Sequence, residues 1–110
     1  MTPTQRTKQK LAAEGWPLVA VAEHWNPHAR IRQDLFGCID ILAVRGNETL
    51  AIQTTSGSGV SARVRKMEDN PALPVLRAAG WTIHVHGWRK VKVKRGGKAI
   101  RWECRVVDLS

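Results

Sequence analysis

The sequence predicts one mixed α/β domain, and three observations predict it. Apolar runs of strand character recur along the chain, and a tight Gly-Asn turn separates two of them. A helical pattern stands before the first run and returns after the third. A length of 110 residues holds one hydrophobic core and not two.

Each element follows in order. Thr2 suits a helix cap, Pro3 the first helical position, and Gly15 a stop. The helix body is polar until Leu11-Ala12-Ala13, so it packs through a narrow stripe. Leu18 to Glu23 reads as a strand, and Trp25 to Gln33 as a polar loop carrying His28, Arg30 and Arg32. Cys38–Val44 and Thr49–Thr54 form a hairpin across Arg45-Gly46-Asn47-Glu48. With Gly46-Asn47 as a two-residue turn, Arg45 pairs with Glu48, Asp40 faces Gln53 and Cys38 faces Thr55.

A Ser/Thr/Gly loop to Gly59 leads into a helix from Val60, with Val60, Val64 and Met67 at helical spacing. Asn70 and Pro71 open a second short helix that Gly80 ends. Trp81–His86 is a further strand. Val91–Lys94 and Ala99–Val107 then make a second hairpin about Gly96-Gly97, with Lys92 opposite Arg101 and Lys90 opposite Glu103. Val91, Val93, Ile100, Trp102 and Cys104 fall on its other face, and Trp81 and Trp102 read as core. The chain is thus a single α/β (α+β) domain over residues 1–110, with a core over 3–86 and a basic β-hairpin extension over 88–109.

Charge narrows the partners. Eighteen Lys and Arg against nine Asp and Glu give +9, which points to a polyanion, nucleic acid ahead of a membrane surface. No apolar run approaches the ~20 residues of a membrane span. The N-terminus lacks the basic-then-apolar order of a signal peptide, so a cytoplasmic protein is expected. Two cysteines are too few for a disulfide framework or a Cys-rich zinc site. His84-x-His86 lacks a third ligand at zinc spacing, and Ser56-Gly57-Ser58-Gly59 lacks the Gly-Lys-Ser/Thr of an NTPase loop.

Polar residues inside apolar strands mark the candidate chemistry. Asp40 lies between Ile39 and Ile41, and Gln53 follows Ala51-Ile52. A carboxylate in such a place is costly unless it is paired or binds a metal. With Thr55 on the same face, the hairpin converges a carboxylate, an amide oxygen and a hydroxyl, a donor set suited to a hard cation such as Mg²⁺. The competing reading pairs Asp40 with a helix arginine such as Arg63. Glu23 is either a site acid or half of a sheet-edge ion pair, and Asp34 either a metal ligand or a loop cap.

Arg30, Arg32, Arg63, Arg65 and Lys66 read as phosphate contacts, as do Lys92, Lys94 and Arg101 on the tail hairpin, where residues 89–105 hold eight Lys/Arg and one acid. Trp25 and Trp88 flank loops near basic residues, where they either stack on bases or pack.

Gly37-Cys38-Ile39-Asp40, then twelve residues, then Gln53-Thr54-Thr55, resembles the active-site hairpin of the PD-(D/E)xK nuclease superfamily. The element order over about residues 3–86 resembles its αβββαβ core, so the resemblance implies a restriction-endonuclease-like fold with an added C-terminal hairpin. Archaeal Holliday-junction resolvases are similar in size and charge, and Mrr-type restriction enzymes in using Gln where others use Glu. Asn26-Pro27-His28 and Arg32-Gln33-Asp34-Leu35-Phe36-Gly37 look like a small phage or bacterial branch.

The resemblance implies an endonuclease acting on DNA with Mg²⁺ or Mn²⁺, Asp40 and Gln53 as metal ligands, and Glu23 or Asp34 completing the shell. It also implies a homodimer. Thr55 stands where the superfamily has its lysine, so Arg63 or Lys66 is expected to supply that cation. The first helix also lacks the resolvases' Glu, its sole acid being Glu14 at the C-terminal end. These departures leave an alternative: a catalytically inactive module of the same fold that binds nucleic acid or a host protein.

Overall fold

A computed structural model covers residues 1–110 and shows a mixed α+β architecture. Helix α1 (Pro3–Ala13) precedes β1 (Leu18–Val21), and a short hairpin, β2 (His24–Asn26) and β3 (Ile31–Gln33), follows. Next come β4 (Ile41–Arg45), β5 (Glu48–Ser56), α2 (Val60–Glu68), α3 (Ala72–Ala78), β6 (Thr82–Lys92) and β7 (Ile100–Asp108). Five strands form one sheet in the order β1-β4-β5-β6-β7, and β2-β3 stands apart. All pairs are antiparallel except β5 with β6, which α2 and α3 connect. No helix is long and apolar enough to cross a membrane.

Hydrophobic clusters on both faces of the sheet make up the domain's interior. Leu11 of α1 packs with Ile41, Ala43, Leu50 and Ile52. Val60, Met67, Leu73 and Leu76 of α2 and α3 pack with Cys38, Ile39, Ala51, Ile83, Val85 and Leu109. Central β5 is therefore buried from Leu50 through Thr54, as a strand covered on both faces must be. Gly87 on β6 makes the α2 contact possible: a Cβ there would lie 2.1 Å from Val60 Cγ2.

Local chemistry explains most boundaries. Thr2 accepts from the Gln5 N–H while the Gln5 side chain accepts from the Thr2 N–H, a reciprocal cap with Pro at the first position. The β4–β5 register pairs Arg45 with Glu48, as the two-residue turn requires. Asn70 Oδ1 accepts from the Ala72 N–H and starts α3.

Several expectations are corrected. The stretch from Trp25 to Gln33 is not all loop: β2 and β3 pair within it, Asn26 Nδ2 donating to Gln33 Oε1. Strand β1 stops at Val21, leaving Glu23 between elements. The β4–β5 ladder ends at Ile41↔Ile52, and the Cys38 N–H donates to Leu35 instead, so Cys38 does not face Thr55. The two strands expected over 81–86 and 91–94 are one, β6.

The tail register is also shifted by one. Val93 bonds to Ala99 across the odd loop Lys94–Lys98, with Gly96 left-handed at φ 74°, so Lys92 faces Ile100, Lys90 faces Trp102, and Arg89 faces Glu103. Lys92 and Arg101 thus point to opposite faces, and Val91 and Val93 lie on the face opposite Ile100, Trp102 and Cys104. Trp81 packs against the core, whereas Trp102 is 36% exposed between Arg6, 3.6 Å from its ring centre, and Lys90.

Candidate metal centre

Asp40 sits where β4 leaves the ladder. Its N–H still donates to the Ile52 carbonyl, and its side chain takes the place of the next strand partner. Asp40 Oδ2 accepts from the Thr54 N–H at 2.8 Å, the Thr54 hydroxyl at 3.1 Å and Gln53 Nε2 at 2.6 Å. The predicted meeting of Asp40 and Gln53 is thus a direct contact. The expected alternative, an ion pair to Arg63, is absent. Thr54 commits its proton to Asp40, so Thr4 of α1 donates to the Thr54 oxygen at 3.0 Å and ties the helix start to the site.

Two further carboxylates converge there. Glu23, Asp34 and Asp40 each offer an oxygen, and these lie within 4.8 Å of one another. Burial pushes the Asp40 pKa up to about 6; Asp34 beside it acts in the same direction, against donation from Thr54. The acids are not left bare. Arg32 binds Glu23 at 2.9 Å, and Lys66 Nζ stands 3.8 Å from Asp34. Glu23 is thus paired with Arg32 of the β2–β3 hairpin and also lies in the acidic cluster.

Gln53 is 2% exposed, and its Nε2, besides binding Asp40, lies 3.5 Å from Asp34. Its Oε1 is buried with no partner. Such an orphan acceptor costs about 1–3 kcal/mol and calls for an explanation. Glu23, Asp34 and Asp40 offer the oxygen donors that a hard cation prefers, while Gln53 presents its Nε2 to two of them.

The cluster floors a cleft of about 840 Å³ with no hydrophobic residue in its lining. Thr55, Arg63, Lys66 and Arg32 line it; Arg65, Arg30, Lys92, Lys94 and Arg101 do not. The structure thus gathers Glu23, Asp34, Asp40, Gln53, Thr55, Arg63 and Lys66, and leaves the tail cations elsewhere.

Sequence reasoning missed Thr54 and Thr4. Strand alternation puts the Thr54 side chain on the α1 side of β5, and only the end of the ladder at Ile41 frees its N–H for Asp40. The polar start of α1 was a signal for Thr4, though without any indication of its partner.

The four histidines join no group of three ligands. His86 is buried under α1 instead. Trp88 Nε1 donates to Thr7 Oγ1 at 2.9 Å; Thr7 lies 3.4 Å from His86 Nδ1, and His86 Nε2 lies 3.4 Å from His84 Nδ1. Burial lowers the His86 pKa to about 3, and neighbouring His84 and Lys10 act the same way. Trp88 is therefore held inward through its indole N–H. Comparison of the chain with models of known families, with curated proteins and with solved structures finds no match.

Proposed function

We propose that the protein is a metal-dependent phosphodiesterase acting on DNA, with its centre at Glu23, Asp34 and Asp40. The observation that carries this reading is the convergence of three carboxylate oxygens within 4.8 Å at the floor of an open polar cleft. Asp40, Asp34 and Glu23 would hold a Mg²⁺ or Mn²⁺ ion, with Gln53 as the neutral ligand. Such an ion, when bound, supplies positive charge to a phosphodiester oxygen and lowers the pKa of an attacking water.

The chain's own residues do the rest. Thr54 orients the Asp40 carboxylate through two donors, and Lys66 and Arg63 provide cationic charge at the cleft wall where Thr55 cannot. Transition-state charge stabilised this way is worth a few kcal/mol per donor. The +9 balance supports a polyanionic substrate.

One observation favours a second reading. Gln53 turns its Nε2, not its Oε1, toward Asp40 and Asp34, so a neutral donor already bridges two acids. A site satisfied in this manner suits an inactive module that binds nucleic acid. Supercoiled and branched DNA incubated with Mg²⁺ or Mn²⁺ separates the two. Nicking that disappears in Asp40→Ala is expected; binding without cleavage at any concentration of either metal leaves the inactive module.

A further inference from the structure

We infer that the cleft takes a nucleic-acid strand with unpaired bases, which stack on the exposed rings of Trp25 and Phe36 next to it while Arg32, Arg63 and Lys66 hold the backbone. This rests on reading the cleft as a phosphate-binding site and adds the form of the nucleic acid.

The aromatic inventory singles out these two rings. Arg45 covers Trp16 at 4.0 Å, Trp81 packs on the core, Trp88 is bonded to Thr7, and Arg6 and Lys90 flank Trp102. Trp25 has no such partner and is 58% exposed. It faces Arg32 across the β2–β3 ladder, so the two side chains leave the same side of that hairpin with Cβ atoms ~5 Å apart. Arg32 lines the cleft.

Phe36 is the chain's single phenylalanine and is 54% exposed. It lies two positions after Asp34 and directly before Gly37, both of which line the cleft, while its own ring lies outside that lining. Its φ is 55°, a left-handed conformation that costs a bulky residue roughly 1–2 kcal/mol. Asn70 Nδ2 donates to the Phe36 carbonyl at 3.1 Å and holds that backbone in place. The ring meets another aromatic only at Trp81, centre to centre 6.4 Å. A strained backbone that displays a ring to solvent points to a function for the ring.

The cleft chooses between partners. A protein partner anchors its aromatic and aliphatic side chains in apolar pockets, and this lining has none. Exposed rings next to a polar cleft that carries Arg32, Arg63 and Lys66 match a ligand with flat π-faces on an anionic backbone, and stacking needs those faces free of a duplex.

The test uses the full chain in EDTA, where cleavage is silent, and measures anisotropy with three labelled probes of equal length. These are an oligo-dT, an abasic deoxyribose-phosphate strand, and a duplex. Oligo-dT is expected to bind at least tenfold tighter than the abasic strand. Trp25→Ala and Phe36→Gly should each erase much of that difference and leave abasic binding unchanged.

Glycine adopts the φ of Phe36 freely, so this variant separates ring from backbone. If it does not fold, Trp25→Ala carries the test. Equal affinity for oligo-dT and the abasic strand, a preference for the duplex, or variants that bind like wild type would overturn the inference. Cleavage of duplex with no base preference sinks this inference alone; base preference without cleavage in any metal sinks the catalytic reading alone.

Discussion

The Thr7–His86–Trp88 group under α1 and the Asp40–Gln53 group at the end of β4 both bury polar side chains against one sheet, yet they are finished differently. In the first, Trp88 donates to Thr7, which leaves the Thr7 proton for His86 Nδ1 and the His86 Nε2 proton for His84. In the second, three carboxylates crowd together, one amide oxygen has no partner, and the space above is open. Buried polarity alone is therefore a poor sign of function. A closed network fixes a fold, whereas a cluster left incomplete and reachable from solvent is poised to receive something.

The comparison breaks most sharply at Asp40. Asp40→Asn keeps an acceptor for Thr54, adds a donor toward Asp34 and removes a buried charge. Metal-dependent cleavage should fall at least 100-fold while the metal-free protein gains on the order of 1 kcal/mol, checked by nicking assays and urea midpoints. His86→Ala is the mirror case: a loss of about 2–4 kcal/mol, with cleavage per folded molecule unchanged.

The two groups also titrate in opposite senses. The Asp40 pKa is raised to about 6, so its contribution is fully present below the ordinary carboxyl value near 4 and is lost as pH rises through about 6. That of His86 is lowered to about 3, so its contribution is present above about 6.5 and is lost as pH falls toward 3. Urea midpoints in EDTA from pH 4 to 8 should show one slope vanish in Asp40→Asn and the other in His86→Ala.

Thr54→Val sharpens the boundary between the groups, since the Thr54 hydroxyl links Thr4 to Asp40 and its N–H donates independently. A cost of about 1 kcal/mol in stability and a severalfold loss of Mn²⁺ affinity by calorimetry are expected, the smallest effect of the series.

Much of this organisation is legible in the sequence. Gly46-Asn47 sets the register that brings Asp40 to Gln53, and Thr2-Pro3 marks the start of α1. Gly96-Gly97 misleads because a loop of odd length shifts every pairing by one and turns Lys92 away from Arg101. The β2–β3 hairpin is hidden because strands of three residues are too short to carry a detectable alternation. Glu23 and Asp34 are visible as acids, but their nearness to Asp40 depends on that hairpin and on the turn at Phe36.

The parallel pairing of β5 with β6 also sets an order of assembly. Glu23, Asp34, Asp40 and Gln53 all precede the crossover, so they meet by closing short loops within the first half of the chain. Thr7 and His86 lie 79 positions apart and meet only when β6 docks beside β5. Loop-closure cost therefore predicts that the acidic pocket forms early in folding and the histidine chain late. With Trp88 as the single remaining tryptophan, fluorescence would report the moment the sheet is completed.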